Sequence, residues 1–290
     1  MTVQSYVKVH SITDAFSELQ KDGLRRIIVG GTDLLIKGHN QRIEPFNAID
    51  IGDVPELAGI TETQTGVRIG AVTKLADIAS SQSLKGALQV LSQGAVLVGS
   101  PQIRNMASLG GNLCNAAPSA DTAAPLIALN ASVEILSPNN NRTIPLETFF
   151  TGPGATVLAK NEILAAVHIP YSAPGSVGLY IKHTPRRAMD LAIVGIAVVL
   201  WHKGGKLQAR IALSAVAPTP LRARLAEVYL EDKNTLNSES IATAAQITST
   251  EITPISDIRS TTSYRIQMVR TLTARALTAL SAELGGWEGE

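Results

Sequence analysis

The sequence contains a single cysteine, Cys114, in 290 residues. One thiol excludes an internal disulfide and cannot by itself ligate an iron–sulfur cluster or a structural zinc. Charge of one sign is also scarce: the formal net charge is +1 and no long basic block occurs. That balance argues against nucleic acid or an anionic membrane as partner and leaves room for a small anionic ligand. The N-terminus, MTVQSYVKVHSITDAF, lacks the basic segment and continuous apolar run of a secretory signal. The longest apolar stretch, LAIVGIAVVLW from Leu191 to Trp201, is about half the length a membrane span requires and reads as a buried strand. These absences predict a cytoplasmic chain that neither crosses nor coats a membrane.

Several catalytic patterns are missing as well. His10, His39, His168, His183 and His202 are scattered, without metal-ligand spacing. No G-x-S-x-G elbow occurs. Cys114, in GGNLCNAA, reads as a small buried thiol rather than a nucleophile. No G-x-G-x-x-G fingerprint is present, which disfavours a Rossmann nicotinamide site, and no glycine loop carries the lysine of a P-loop.

What is present suggests an α+β chain of two or three units, given 45% hydrophobic residues over this length. Ser11 caps a helix over about Ile12 to Lys21, with Ile12, Ala15, Phe16 and Leu19 on one face, and Gly23 ends it. A strand over Arg26 to Val29 runs into Gly30-Gly31, and Thr32-Asp33 opens a second helix. A strand at Asn47 to Gly52 completes a compact α/β unit. Two short strands follow around Gln64 to Gly66, then helices over Lys74 to Ser80 and Ala87 to Gly94, and strands at Ala131 to Leu136 and Glu162 to Ile169. The stretch Pro170 to Gly178, rich in Pro, Gly and Ser, marks a linker, with a boundary near Ser176. Beyond it, strands at Gly178 to His183, Leu191 to Lys203 and Leu207 to Val216 suggest an antiparallel meander turning at Gly204-Gly205. A final helix over Thr262 to Leu284 places Tyr264, Met268, Leu272 and Leu280 on one face, with Arg265 and Arg275 elsewhere. The tail from Gly285 is expected to fray.

Two glycine clusters are candidates for chemistry. The strand–glycine–helix sequence Val29 to Asp33 suits an anion, because a helix start has unpaired N–H donors and the positive end of the dipole. The bland alternative is a turn that needs glycine only for positive φ. The second cluster, Ser108-Leu109-Gly110-Gly111-Asn112, would let a ligand approach the backbone beside two hydrogen-bonding side chains. Asp121 fits either an N-cap for a helix over Thr122 to Leu129 or an acceptor for a ligand hydroxyl. Pro185 to Asp190 reads equally as a charged hairpin or a partner-facing loop. Lys182, taken alone, reads as an exposed strand lysine.

The motifs IVGGTDLLI, GSPQIRNMASLGGNLCNAAPSADTAAPLIAL, NEILAAVHIP and YIKHTPRRAMDLAIVG together resemble the FAD-binding medium subunit of the molybdenum hydroxylases, over nearly the whole chain. GGTDLL, GGNLCN, SAD and RRAMD look closest to the bacterial xanthine dehydrogenase type. Carbon monoxide, aldehyde and N-heterocycle dehydrogenases are the alternatives. The resemblance implies a two-subdomain FAD-binding α/β region of the PCMH, vanillyl-alcohol-oxidase-like kind over 1–175, divided at about residue 55. A C-terminal domain of antiparallel sheet and helices over 176–290 would follow.

By the same resemblance the cofactor is noncovalent FAD. Val29, Gly30, Gly31, Thr32 and Asp33 would face its pyrophosphate, and Ser108, Gly111 and Asn112 would line the flavin chain. Asp121 would accept from a ribityl or ribose hydroxyl, Leu164 would pack on the cofactor, and Lys182 would reach the isoalloxazine region. A carboxylate facing phosphate would repel it, so Asp33 is expected to turn its side chain onto backbone donors as a cap. The implied partners are a molybdopterin-binding large subunit and a small subunit with two [2Fe-2S] clusters, in a hexamer of two heterotrimers, with NAD or another acceptor. Two rival functions stay open: a flavin-fold binding or assembly module without redox activity, and a flavin oxidoreductase that acts alone.

Overall fold

The computed structural model describes residues 2–285 apart from 187 and 232. Arg187 of the Pro185 to Asp190 stretch and the tail beyond Gly285 therefore lie outside the described residues. The N-terminal unit runs β1 (Val3–Lys8), α1 (Ile12–Leu19), β2 (Arg25–Ile28), α2 (Leu34–His39) and β3 (Phe46–Asp50), and its parallel sheet has the order β1-β3-β2. Ser11 caps α1 by accepting from the Asp14 N–H at 3.0 Å. The helix stops at Leu19, before Gly23, which takes φ +90° in the turn that follows. The strand β1 was not anticipated from sequence, because its residues alternate poorly and most are exposed.

The middle unit begins with β4 (Ile60–Glu62) and β5 (Gly66–Gly70). Five short helices follow: α3 (Leu75–Ala79), α4 (Gln89–Val96), α5 (Pro101–Met106), α6 (Leu109–Cys114) and α7 (Ala123–Ala128). It closes with β6 (Ser132–Leu136), β7 (Arg142–Pro145), the small hairpin β8 (Phe150–Gly152) and β9 (Ala155–Thr156), and β10 (Ile163–Pro170). The antiparallel sheet has the order β4-β5-β10-β6-β7, so the last strand of the unit lies at its centre. This burial accounts for the nearly unbroken apolar run of β10.

The C-terminal unit comprises β11 (Val177–His183), β12 (Val194–Lys203), β13 (Lys206–Ser214), β14 (Leu221–Arg222), α8 (Arg224–Glu231), α9 (Ser238–Thr248) and α10 (Thr262–Glu283). Its sheet is an antiparallel meander, β11-β12-β13-β14, and Gly204 and Gly205 both take positive φ at the turn between β12 and β13. Strand β12 is covered on both faces. Val194, Ile196, Val198 and Leu200 enter the core under α8 to α10, while Ala197 and Val199 join the core of the middle unit. A strand sandwiched in this way cannot alternate apolar with polar, which explains the long apolar run without a membrane. Among the described residues no helix is long and apolar enough to cross one.

Helix α10 corrects one expectation. Its buried side carries Arg265, Val269, Leu272, Ala276 and Leu280, and Tyr264 is exposed. The Arg265 guanidinium is buried because it has polar partners: Nη1 donates to the Ile193 carbonyl at 2.6 Å and Nη2 to Asp257 at 2.9 Å. A charged side chain with such partners can occupy a core position that hydropathy alone assigns elsewhere.

Candidate functional site

The first glycine loop leaves the carboxyl end of the parallel sheet, where open α/β sheets place ligands. Gly31 takes φ +65°, which lets β2 turn directly into α2. Gly30 is needed for a different reason: a Cβ there would stand 2.0 Å from the Met106 carbonyl oxygen. The two glycine segments therefore meet backbone to backbone, which only glycine permits. Lys74 Nζ donates to the same Met106 carbonyl at 3.1 Å, and Lys37 Nζ donates to Asn115 Oδ1, tying α2 to the end of α6. Among the described residues no acceptor is paired with the backbone N–H of Gly30, Gly31, Thr32 or Asp33. Four consecutive unpaired donors at a helix start suit an anion such as a phosphate group.

Asp33 departs from expectation. Its side chain makes no capping hydrogen bond, and the residue is exposed. The physical reason is its backbone, at φ −99° and ψ −44°. An N-cap side chain reaches back to the first-turn donors from an extended conformation, and a residue already near helical angles directs its carboxylate outward.

In the second cluster Ser108 is extended and accepts from the Gly111 N–H at 3.1 Å, so it caps α6. The two glycines differ. A Cβ on Gly110 would press on Ala71 at 2.7 Å, so that glycine serves packing, whereas one on Gly111 would meet only Ser108 Oγ, at 3.1 Å, and Gly111 is exposed. Asn112 is half-buried and accepts from Thr122 Oγ1 at 2.6 Å, which joins α6 to the segment carrying Asp121. Cys114 ends α6 and is exposed as a residue, yet burial around its sulfur pushes the thiol up to about 12, which keeps it protonated and unreactive. Leu164 is buried in the main core with Leu109 and Leu113.

Asp121 is not a helix cap. Its Oδ1 accepts from the Tyr180 hydroxyl at 2.8 Å and its Oδ2 from Lys182 Nζ at 2.7 Å. Lys182 is equally far from the solvated lysine that the bland reading supposed: its side chain is 7% exposed, and it also donates to the Leu97 carbonyl at 3.0 Å. Burial pushes the Asp121 carboxyl above the ordinary Asp range, and Lys182 and Tyr180 oppose that shift. Burial beside the carboxylate pushes the Tyr180 phenol well above its ordinary value, so it is held as a donor. A carboxylate offers about four lone-pair directions. Asp121 therefore keeps acceptor capacity for a further hydroxyl.

The structure thus joins Val29 to Asp33, Ser108 to Asn112, Asp121 and Lys182 into one continuous path through Met106, Asn115 and Thr122. The sequence reading missed Lys37, Thr122 and Tyr180. Only Tyr180 had a signal, its i, i+2 spacing from Lys182, which puts both on one face of β11. An open concavity of about 1180 Å³, lined by Tyr6, Leu35, His39 and Arg42 among others, includes none of these residues. His168 lies 2.9 Å from Glu134, across the middle sheet and outside the path. Among the described residues no cluster of His, Cys, Asp or Glu is placed to hold a metal ion.

Comparison with known proteins places the whole chain in one family. Residues 1–172 match the FAD binding domain in molybdopterin dehydrogenase, and residues 180–280 match the CO dehydrogenase flavoprotein C-terminal domain. The xanthine dehydrogenase FAD-binding subunit of Escherichia coli O157:H7 is 33% identical, with 97% of each chain covered. The carbon monoxide dehydrogenase medium chain of Hydrogenophaga pseudoflava is 34% identical, with 88% of each chain covered. The solved carbon monoxide dehydrogenase from Hydrogenophaga pseudoflava that lacks the Mo-pyranopterin moiety superposes with a TM-score of 0.91 at 34% identity, covering 96% of this chain and 97% of that one. Quinoline 2-oxidoreductase from Pseudomonas putida 86 gives a TM-score of 0.90 at 27% identity, with 97% of each chain covered. With matches that span both parts of the chain, the protein belongs to the FAD-binding subunits of the molybdenum hydroxylase family of oxidoreductases, and its cofactor is FAD.

Proposed function

We propose that the chain is the electron-transferring flavoprotein of a xanthine dehydrogenase-type complex in the cytoplasm. Substrate is hydroxylated on a molybdopterin-binding large subunit, electrons cross two [2Fe-2S] clusters of a small subunit, and this chain passes them to NAD or another acceptor. The assembly is a hexamer of two heterotrimers. Residues 1–175 form the FAD-binding domain, with subdomains of about 1–55 and 56–175, and 176–290 form the C-terminal domain. A single cysteine supports the division of labour, since this chain cannot itself hold an iron–sulfur cluster.

The observation that carries the reading is the set of four unpaired N–H groups at Gly30, Gly31, Thr32 and Asp33. They would donate to the pyrophosphate, with Gly111 and Asn112 along the cofactor chain, Asp121 accepting from a hydroxyl and Leu164 supporting the site from the core. Bound FAD supplies a two-electron carrier. Lys182 would add a positive charge beside its ring and favour electron uptake. In the assembled complex, xanthine added without oxygen should bleach the flavin absorption, and NAD should restore it. Flavin that xanthine leaves unreduced, while carbon monoxide or an aldehyde bleaches it, would reassign the substrate class. Flavin that none of them reduces would favour the binding module.

A further inference from the structure

Tyr180 and Lys182 project from the same face of β11 because they are two residues apart. Lys182 pairs with Gly195 on β12, and Gly195 pairs in turn with Ser214 on β13. Glycine in the interior of a central strand weakens it and marks a close approach. Here two groups approach, the Ser214 hydroxyl and the Tyr180 phenol. A Cβ on Gly195 would stand 2.7 Å from the Tyr180 hydroxyl oxygen and 2.2 Å from Ser214 Oγ. The missing side chain thus opens a slot through which Tyr180 leans across the sheet and delivers its hydroxyl to Asp121 at 2.8 Å.

We propose that Tyr180 is a positioning residue of the FAD site. It acts through Asp121: its hydroxyl holds Oδ1 so that Oδ2 meets Lys182 and the remaining lone pairs face the cofactor. Gly195 is the residue that makes room for it. The inference rests on the FAD assignment of this site and adds to it a residue that itself stays behind the carboxylate. Tyr180 is 5% exposed, so its polar atom requires a buried partner, and Asp121 is that partner.

The test is a titration of the flavin-stripped full chain with FAD. Tyr180→Phe keeps the ring and should leave far-UV circular dichroism unchanged while weakening FAD about tenfold, the scale of one hydrogen bond to a charged acceptor. In an Asp121→Asn background the acceptor is neutral and the bond about half as strong, so the same change should cost only about threefold. Ser214→Ala removes the other polar neighbour of the phenol and should leave the affinity unchanged. An equal loss in both Asp121 backgrounds, no loss in either, or a tenfold loss in Ser214→Ala would overturn the positioning role, because each would trace the effect to packing. Wild-type chain that takes up no FAD would instead remove the underlying assignment and the inference with it.

Discussion

Lys182 Nζ lies 2.7 Å from Asp121 Oδ2, and both side chains are more than nine-tenths buried. The cation that the family resemblance assigns to the flavin region therefore carries its own counter-charge. A buried pair contributes little net stability compared with an apolar substitute, but removing one partner strands the other. Lys182 is thus both a candidate electrostatic element and a structural one, and the two roles need separate measurements.

Lys182→Met should destabilise the fold by about 3–5 kcal/mol, since it leaves the Asp121 carboxylate buried without its counter-charge. Lys182→Met combined with Asp121→Asn should recover most of that loss. Urea denaturation of both variants beside wild type checks this; a double variant no more stable than the single one would show that the charge pairing is not the source. In flavin-loaded Lys182→Met, a lost interaction of about 1.4 kcal/mol would lower the two-electron potential by roughly 30 mV.

The glycines should separate packing from binding. Gly30→Ala forces a Cβ against the Met106 carbonyl, backbone that cannot rotate away, so it should cost about 1–3 kcal/mol and FAD binding together. Gly31→Val should also abolish binding, because the residue sits at φ +65°. Gly111→Ala meets only Ser108 Oγ and should leave the thermal midpoint unchanged while weakening FAD. Equal effects of Gly30→Ala and Gly111→Ala on stability would contradict the assignment of these roles.

The cofactor should be released by acid. No histidine or cysteine pattern for a covalent link is present in the sequence, and the donors that face the loop are backbone groups. Acid precipitation should leave the flavin in the supernatant; yellow pellets would indicate a covalent bond. Metal analysis of the isolated chain should find neither molybdenum nor iron in stoichiometric amount.

A pH effect is expected at the edge of the middle sheet. Arg142 Nε and Nη2 grip Glu162 at 3.0 and 2.8 Å, and the Ala159 N–H donates to the same carboxylate. The Arg142 hydrogen bond holds the Glu162 carboxyl below its ordinary value. A lowered folded pKa means that the contribution is complete above the unfolded value near 4.5 and disappears as pH falls through the folded one. Arg142→Met should therefore differ from wild type in urea midpoint at neutral pH and converge with it at strongly acid pH. A gap that stays constant down to acid pH would point to packing of the arginine stem.

The sequence alone determined whatever depends on local chemistry. Ser11 and the glycines of the turns announce element ends because caps and positive φ are single-residue properties. The apolar run of β12 read as a buried strand, and only the packing of the middle and C-terminal units showed that both of its faces are covered. The glycine-rich strand-to-helix turn pointed to an anion for the same reason: its donors come from the backbone just there. Tertiary structure alone decided which distant groups met. Asp121 could have been a cap, and Lys182 a solvated strand lysine, on sequence grounds. They form a buried pair because α4 and α7 pack on the face of β11 and β12 that carries Lys182, excluding water from a carboxylate and an ammonium 61 residues apart. Arg265 changed faces and Asp33 lost its capping role for a related reason. Each outcome depends on partners or backbone angles that no local window contains.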